Sequence, residues 1–337
     1  MARDHRQRLG RRATWLALPL LLLLAACGGD DAAPSQQVAQ GAGSDGALVG
    51  LAIAQQGAEQ WWSDHEQALV KRDVKALARL DGQPLLAVEA ELLQVSLGVQ
   101  QPVLAAARQP SAVRVHVPAA QSWPVPILAV FDLPASGSEG ASHVAVLLSK
   151  ANPSGAPVAL ERAALAAAEP AFDTDPAGYV RMGQAASDLS KTYASYMQAV
   201  AHGTPAPSPA PFAPGKLTSE AAASDASLLS DPAGHSRGSL GGAEIDYAPL
   251  QVATPVFGLP GGAGFALFAT QRTQTLHPTA GKALLQDAER HNYGVNLAPG
   301  QYQQITVQSV IVLVVRMPAP GAPAEVVGSG GGVIREG

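Results

Sequence analysis

The chain has 337 residues, 47% apolar and 15% charged, which is too hydrophobic for a disordered chain and long enough for two core-bearing domains. Lys and Arg number 22 against 27 Asp and Glu, a net charge of −5, so the clustered positive charge that nucleic acid demands is lacking. With 34 Gly and 27 Pro, the chain suits many turns and short strands better than a helical bundle.

Arg3, Arg6, Arg8, Arg11 and Arg12 open the chain, and residues 13–26 form an uncharged run rich in leucine. Residues 1–26 therefore read as a secretory signal peptide, because this run is too short to cross about 30 Å of hydrocarbon comfortably. The junction Leu24-Ala25-Ala26-Cys27-Gly28 resembles the lipobox of bacterial lipoproteins, cut between Ala26 and Cys27, with Cys27 carrying diacylglycerol. Cys27 is the sole cysteine, so it has no internal disulfide partner, and an idle thiol would be a liability in an oxidising compartment. Arg11-Arg12 ahead of Trp15-Leu16 sits one residue off the spacing of a twin-arginine signal, and both export routes stay open. Residues 27–47, rich in Gly, Ala, Ser, Gln and Asp, read as a flexible tether.

Helical spacing of Trp62, Leu69, Val70, Val74, Leu77 and Leu80 predicts a helix over 59–80, stopped by Asp81-Gly82. A second helix is expected over 85–97, with Leu85, Val88, Leu92 and Val95 on one face. Strands are expected at 113–117, 126–133 and 143–150, while 158–168 is ambiguous between strand and helix. Turn residues over 169–178 place a boundary between an N-terminal domain, 48–178, and a C-terminal domain, 179–337. Leu189, Tyr193, Tyr196, Met197 and Val200 then form a helical stripe, followed by a Pro-rich loop over 204–214. Strands follow at 247–254, 265–276 and 302–317, the last buried on both faces over 310–315. Helix-first order without βαβ alternation indicates α+β. The expectation is two tandem domains, each a helix across a mostly antiparallel curved sheet, as in nuclear-transport-factor-like or cystatin-like domains.

The segment Gly261-Gly262-Ala263-Gly264-Phe265-Ala266-Leu267-Phe268, residues 302–317 and the closing Val326-Val327-Gly328 resemble the C-terminal domain of an uncharacterised membrane-anchored lipoprotein family of high-GC Gram-positive bacteria. Trp62 ahead of His65-Glu66-Gln67-Ala68-Leu69 and the later Leu85-Leu86-Ala87-Val88-Glu89 are similar to its N-terminal helices. The resemblance implies a lipid-anchored protein on the extracytoplasmic face of the cell membrane and carries no catalytic residues.

Gly234-His235-Ser236-Arg237-Gly238 matches the G-x-S-x-G nucleophile elbow, but no strand or helix is expected on either side of Ser236. The histidines never form H-x-x-H or H-E-x-x-H, so no metal site is expected. Asp64-His65-Glu66 occupy consecutive helix positions and read as a solvated face, and His116 reads as solvent-exposed opposite the valines of its strand. Gly258, Gly261, Gly262 and Gly264 precede a strand and read as a turn, not a phosphate cradle. Trp61, Trp62 and Trp123 read as core, although adjacent tryptophans on a helix are not expected to share one core, which leaves one of the pair for a partner or the other domain. No complete catalytic constellation emerges. The reading is a non-enzymatic envelope lipoprotein without cofactor or nucleic acid, held to the membrane and binding an envelope protein or a small apolar ligand. The alternatives are a solute-binding lipoprotein of a transporter, which needs βαβ lobes, and an envelope hydrolase using Ser236.

Overall fold

A computed structural model describes residues 47–98, 103–104, 106–135, 140–183, 188–205, 207–235, 240–252, 254–279, 283–285, 300–318 and 321–336. The expectations for residues 1–46, with Ala26 and Cys27, and for Ser236 lie outside them. The first helix, α1 (Leu51–Lys71), buries Ala54, Ala58, Trp61, Trp62, His65, Ala68 and Leu69 along one side. It begins ahead of the expected residue 59 and ends where Arg72 turns left-handed at φ 55°. Asp73 then caps α2 (Val74–Leu80) by accepting from the Ala76 N–H at 3.0 Å, so the one expected helix is two. The Asp81 N–H closes α2 onto the Leu77 carbonyl at 2.8 Å, at the expected stop.

Helix α3 (Leu85–Gly98) forms where expected but presents a different face. Leu92 is 45% exposed, while Leu85, Glu89, Leu93 and Ser96 are buried. The sequence-level stripe ran through Leu92 because counting apolar residues gives no credit to a carboxylate that finds partners in the interior.

An antiparallel meander follows, with β1 (Ala112–His116), β2 (Val125–Leu133), β3 (Ser142–Lys150) and β4 (Val158–Leu165) in sequence. The expected boundary over 169–178 lies in the connection from β4 to α4 (Leu189–Ala201). Next come α5 (Ser219–Ser230), the short α6 (Pro232–His235), β5 (Leu240–Pro249), β6 (Val256–Gly258), β7 (Gly264–Pro278), β8 (Ala283–Leu285) and β9 (Gly300–Tyr302). Two long strands, β10 (Ile305–Met317) and β11 (Glu325–Glu336), close the chain. Strand β5 starts ahead of the expected residue 247, and α5 and β11 had no counterpart in the sequence reading.

The class is α+β, and the principal sheet runs β1-β2-β3-β4-β11-β10-β7-β5, every neighbouring pair antiparallel, with β6 against β7. The order is a mirror: each half contributes helices and then strands, and the halves meet at β4 and β11 through Gly328↔Leu165 and Ser329↔Ala164. The described residues belong to one compact unit.

Strand alternation sorts the core into layers. Ile127, Ala129 and Phe131 of β2 pack with Trp61 and Trp62 of α1. Leu128 and Val130 point the other way and join Leu267, Ala269, Val310 and Val312 of the distant half, so the sheet curves back on itself. Tyr193 and Met197 of α4 cover Phe268, Leu313 and Val315. Residues 310–315 are thus enclosed from both faces, as the unbroken apolar run implied.

Strand β11 tolerates little beyond glycine at its centre. Gly331 has φ 105°, and a Cβ there would collide with the carbonyl of Val310. Replacing Gly331 by Val is expected to destabilise the fold by about 2–4 kcal/mol, read as a lowered urea midpoint; a wild-type midpoint would contradict this account of the strand.

Candidate functional site

The helices α1–α3 meet β4 around a set of buried ionisable groups. His65 and Glu66 of α1 are 0% exposed, Asp81 at the end of α2 is 3% and Glu89 of α3 is 4%. The expected solvated face is therefore corrected: of the triplet, Asp64 alone faces solvent. Residues 65 and 66 lie about 100° apart around the helix, and both fall on the buried side because the sheet and α3 enclose α1 over a wide arc.

His65 Nε2 lies 2.6 Å from Glu89 Oε2 and 3.6 Å from Asp81 Oδ2. The other oxygen of each carboxylate is held from outside: Trp61 Nε1 donates to Asp81 Oδ1 at 3.2 Å, and Arg162 Nη1 of β4 donates to Glu89 Oε1 at 3.4 Å. Asp81 Oδ2 and His65 Nδ1 are buried with no hydrogen-bond partner among the described residues. Glu66 is matched by Arg108, whose backbone N–H, Nε and Nη2 all donate to it, and by Arg162 Nη2 at 3.6 Å.

Burial, and then the negative charge of Glu89, push the Asp81 carboxyl up to about 8. Burial acts on Glu89 in the same sense, but the hydrogen bond and charge of His65, with Arg162, overcome it and hold that carboxylate below its usual range. One carboxyl of the cluster thus keeps its proton at neutral pH while its neighbour is ionised.

The aromatic wall is a second correction. Trp61 and Trp62 are 2% and 1% exposed and share one core, the Trp62 ring 4.4 Å and the Trp61 ring 6.1 Å from Phe131. Their indole N–H groups find acceptors at Leu80 O and Asp81 for Trp61, and at Arg108 O for Trp62, which removes the cost of burying them. Trp123 is half-buried against the same core. His116 is corrected too: its ring stacks 4.0 Å from Phe172 and lies 3.4 Å from Glu169, in a network where Arg114 bonds Asp132 and Glu169. Gly261 and Gly262 take φ 77° and 79° in the turn ahead of β7, as their sequence context implied.

Beside the cluster, an open cavity of about 430 Å³ lies between α1 and the β3–β4 turn, with Ile53, Gly57, Trp61, Leu80, Ile127 and Pro157 in its wall. Its polar edge carries Gln60, Asp64 and Lys150. Lys150 donates to the Gly155 carbonyl, and desolvation lowers its pKa. The Trp61 indole lines this cavity and also bonds Asp81.

From the sequence, His65 and Glu66 read as a solvated face, and Asp81, Glu89, Arg108 and Arg162 were not named as members of a site. The one available signal was Glu89 itself, a charge on the Leu85–Leu93 line of a mostly apolar helix. A scan against protein-family models and searches of curated proteins and of solved structures found no match.

Glu161 of β4 is buried with neither carboxylate oxygen bonded among the described residues, and burial pushes it up to about 8. Unfolded, it titrates near its ordinary 4.5, so the folded state gains protons relative to the unfolded one, and stability falls as pH rises from 4.5 to about 8. Glu161→Gln is expected to melt higher than wild type at pH 8, the margin shrinking toward pH 5, at about 1.4 kcal/mol per pH unit at most. Parallel melting curves across that range would contradict it.

Proposed function

We propose that the chain is a lipoprotein anchored through Cys27 to the extracytoplasmic face of the cell membrane, where it serves as a non-enzymatic binding module. The position of Cys27 carries the localisation: the only cysteine stands directly after Leu24-Ala25-Ala26 at the end of the apolar run. Two acyl chains on that residue give stable anchoring, and the Gly- and Ser-containing stretch behind it spaces the folded part from the bilayer. The resemblance to an uncharacterised lipoprotein family of high-GC Gram-positive bacteria agrees with this placement. We read the two mirrored halves as tandem α+β units of one binding body.

The cavity against α1 supports a small, mainly apolar ligand, with Lys150 and Asp64 at its edge for one polar group. Antiparallel pairing throughout the principal sheet favours this reading over a transporter's solute-binding component built from βαβ lobes.

Cys27→Ala is expected to move the protein from the membrane fraction to the soluble fraction of the producing cell, with loss of the diacylglycerol mass. Unchanged membrane retention would contradict lipid anchoring. For the cavity, Ala156→Trp places an indole at an exposed lining position, and it should weaken binding of an apolar naphthylamine probe at least ~10-fold without lowering the melting temperature. Equal probe affinity would remove the cavity from the account.

A further inference from the structure

We propose that His65, Asp81 and Glu89 together hold a divalent cation, with zinc the best match to their donors. Their ligand atoms all lie within 4.8 Å of one another, on three separate helical elements that converge on one buried point. His65 Nε2 is 3.6 Å from Asp81 Oδ2 and 2.6 Å from Glu89 Oε2, which brackets the roughly 3.3 Å separation of neighbouring donors around tetrahedral zinc.

The outer contacts orient these donors as a metal site requires. Each carboxylate has one oxygen fixed from behind, Asp81 Oδ1 by the Trp61 indole and Glu89 Oε1 by Arg162, and turns its other oxygen toward His65 Nε2. Asp81 Oδ2 is the telling atom. It is buried, aimed into the cluster and without a hydrogen-bond partner among the described residues, a costly state for a carboxylate oxygen unless a cation answers it.

Charge agrees as well. With Asp81, Glu89 and Glu66 ionised and the imidazole neutral, the guanidiniums of Arg108 and Arg162 leave one negative charge of the buried set uncompensated, which a cation answers. One nitrogen and two oxygens with no thiolate favour zinc over soft-metal chemistry, and three protein ligands leave a fourth position open. On binding, Asp81 gives up to solvent the proton it keeps at neutral pH, and His65 meets the cation through a bare Nε2 with its proton on Nδ1. The donors are distinct from the apolar cavity beyond Trp61, so the cation site stands or falls separately from the ligand reading.

The test uses the full chain in detergent micelles, stripped with EDTA, dialysed and titrated with zinc chloride by calorimetry. One equivalent is expected to bind, with affinity reduced at least ~10-fold by Asp81→Asn and by Glu89→Gln, and unaltered by Glu59→Gln on the exposed side of α1. No saturable binding by the unmutated chain, or wild-type affinity in both Asp81→Asn and Glu89→Gln, overturns the proposal. Cobalt(II) added to the unmutated chain supplies a readout independent of variant folding. Paramagnetic broadening is expected at the His65 imidazole before His116, His143 or His202, and broadening that begins at another histidine overturns the site.

Discussion

Arg162 is the side chain on which the N-terminal half depends. Its guanidinium lies 3.4 Å from Glu89, 3.6 Å from Glu66 and 5.2 Å over the Trp62 ring, so one residue of β4 engages both α1 and α3. Two buried carboxylates on facing helices would otherwise lack sufficient compensation, and removing one partner from such a buried set costs about 3–5 kcal/mol. The constraint explains why α3 turns Glu89 inward and leaves Leu92 and Leu97 exposed. It also fixes α1, since Glu66 reaches Arg162 and Arg108 only when both tryptophans are turned toward Phe131.

The same strand links this half to the rest of the molecule. Beyond Arg162, Ala164 and Leu165 pair with Ser329 and Gly328 of β11, and β11 lies against β10, whose residues 312–315 are buried. Glycines in β11 let it approach both neighbours, which is why a segment with so few side chains can occupy the middle of a sheet. The helices and their ionic cluster therefore rest on an eight-strand path whose centre is set by backbone proximity more than by side-chain packing.

Much of this architecture was legible from residue patterns. Strands 126–133 and 143–150 and the stripe from Leu189 to Met197 follow apolar periodicity closely, and the unbroken 310–315 run marked the central strand. Where periodicity was weak, the reading failed. Helix α5 is mostly Ala and Ser, with Leu228 and Leu229 its only large apolar residues, and β11 carries Gly328, Gly330, Gly331 and Gly332 in place of alternating side chains. The break at Arg72 was hidden because a left-handed arginine has no compositional mark, unlike glycine. The cluster was the least legible part. A carboxylate is assigned to solvent from sequence alone, and its burial becomes affordable only through partners 24 or 73 positions away, as for Glu89 with His65 and Arg162. Asp81 served as a turn signal, and that role concealed its side chain's place beside His65.

The proposed cation between α1, α2 and α3 separates a metal site from a self-satisfied ionic core. Anomalous diffraction from crystals grown with zinc, recorded on both sides of the zinc absorption edge, tests it most directly. One strong difference peak is expected within about 2.0–2.2 Å of His65 Nε2, Asp81 Oδ2 and a Glu89 oxygen. A refined structure in which His65 still bonds Glu89 directly, with no peak between them, would contradict it.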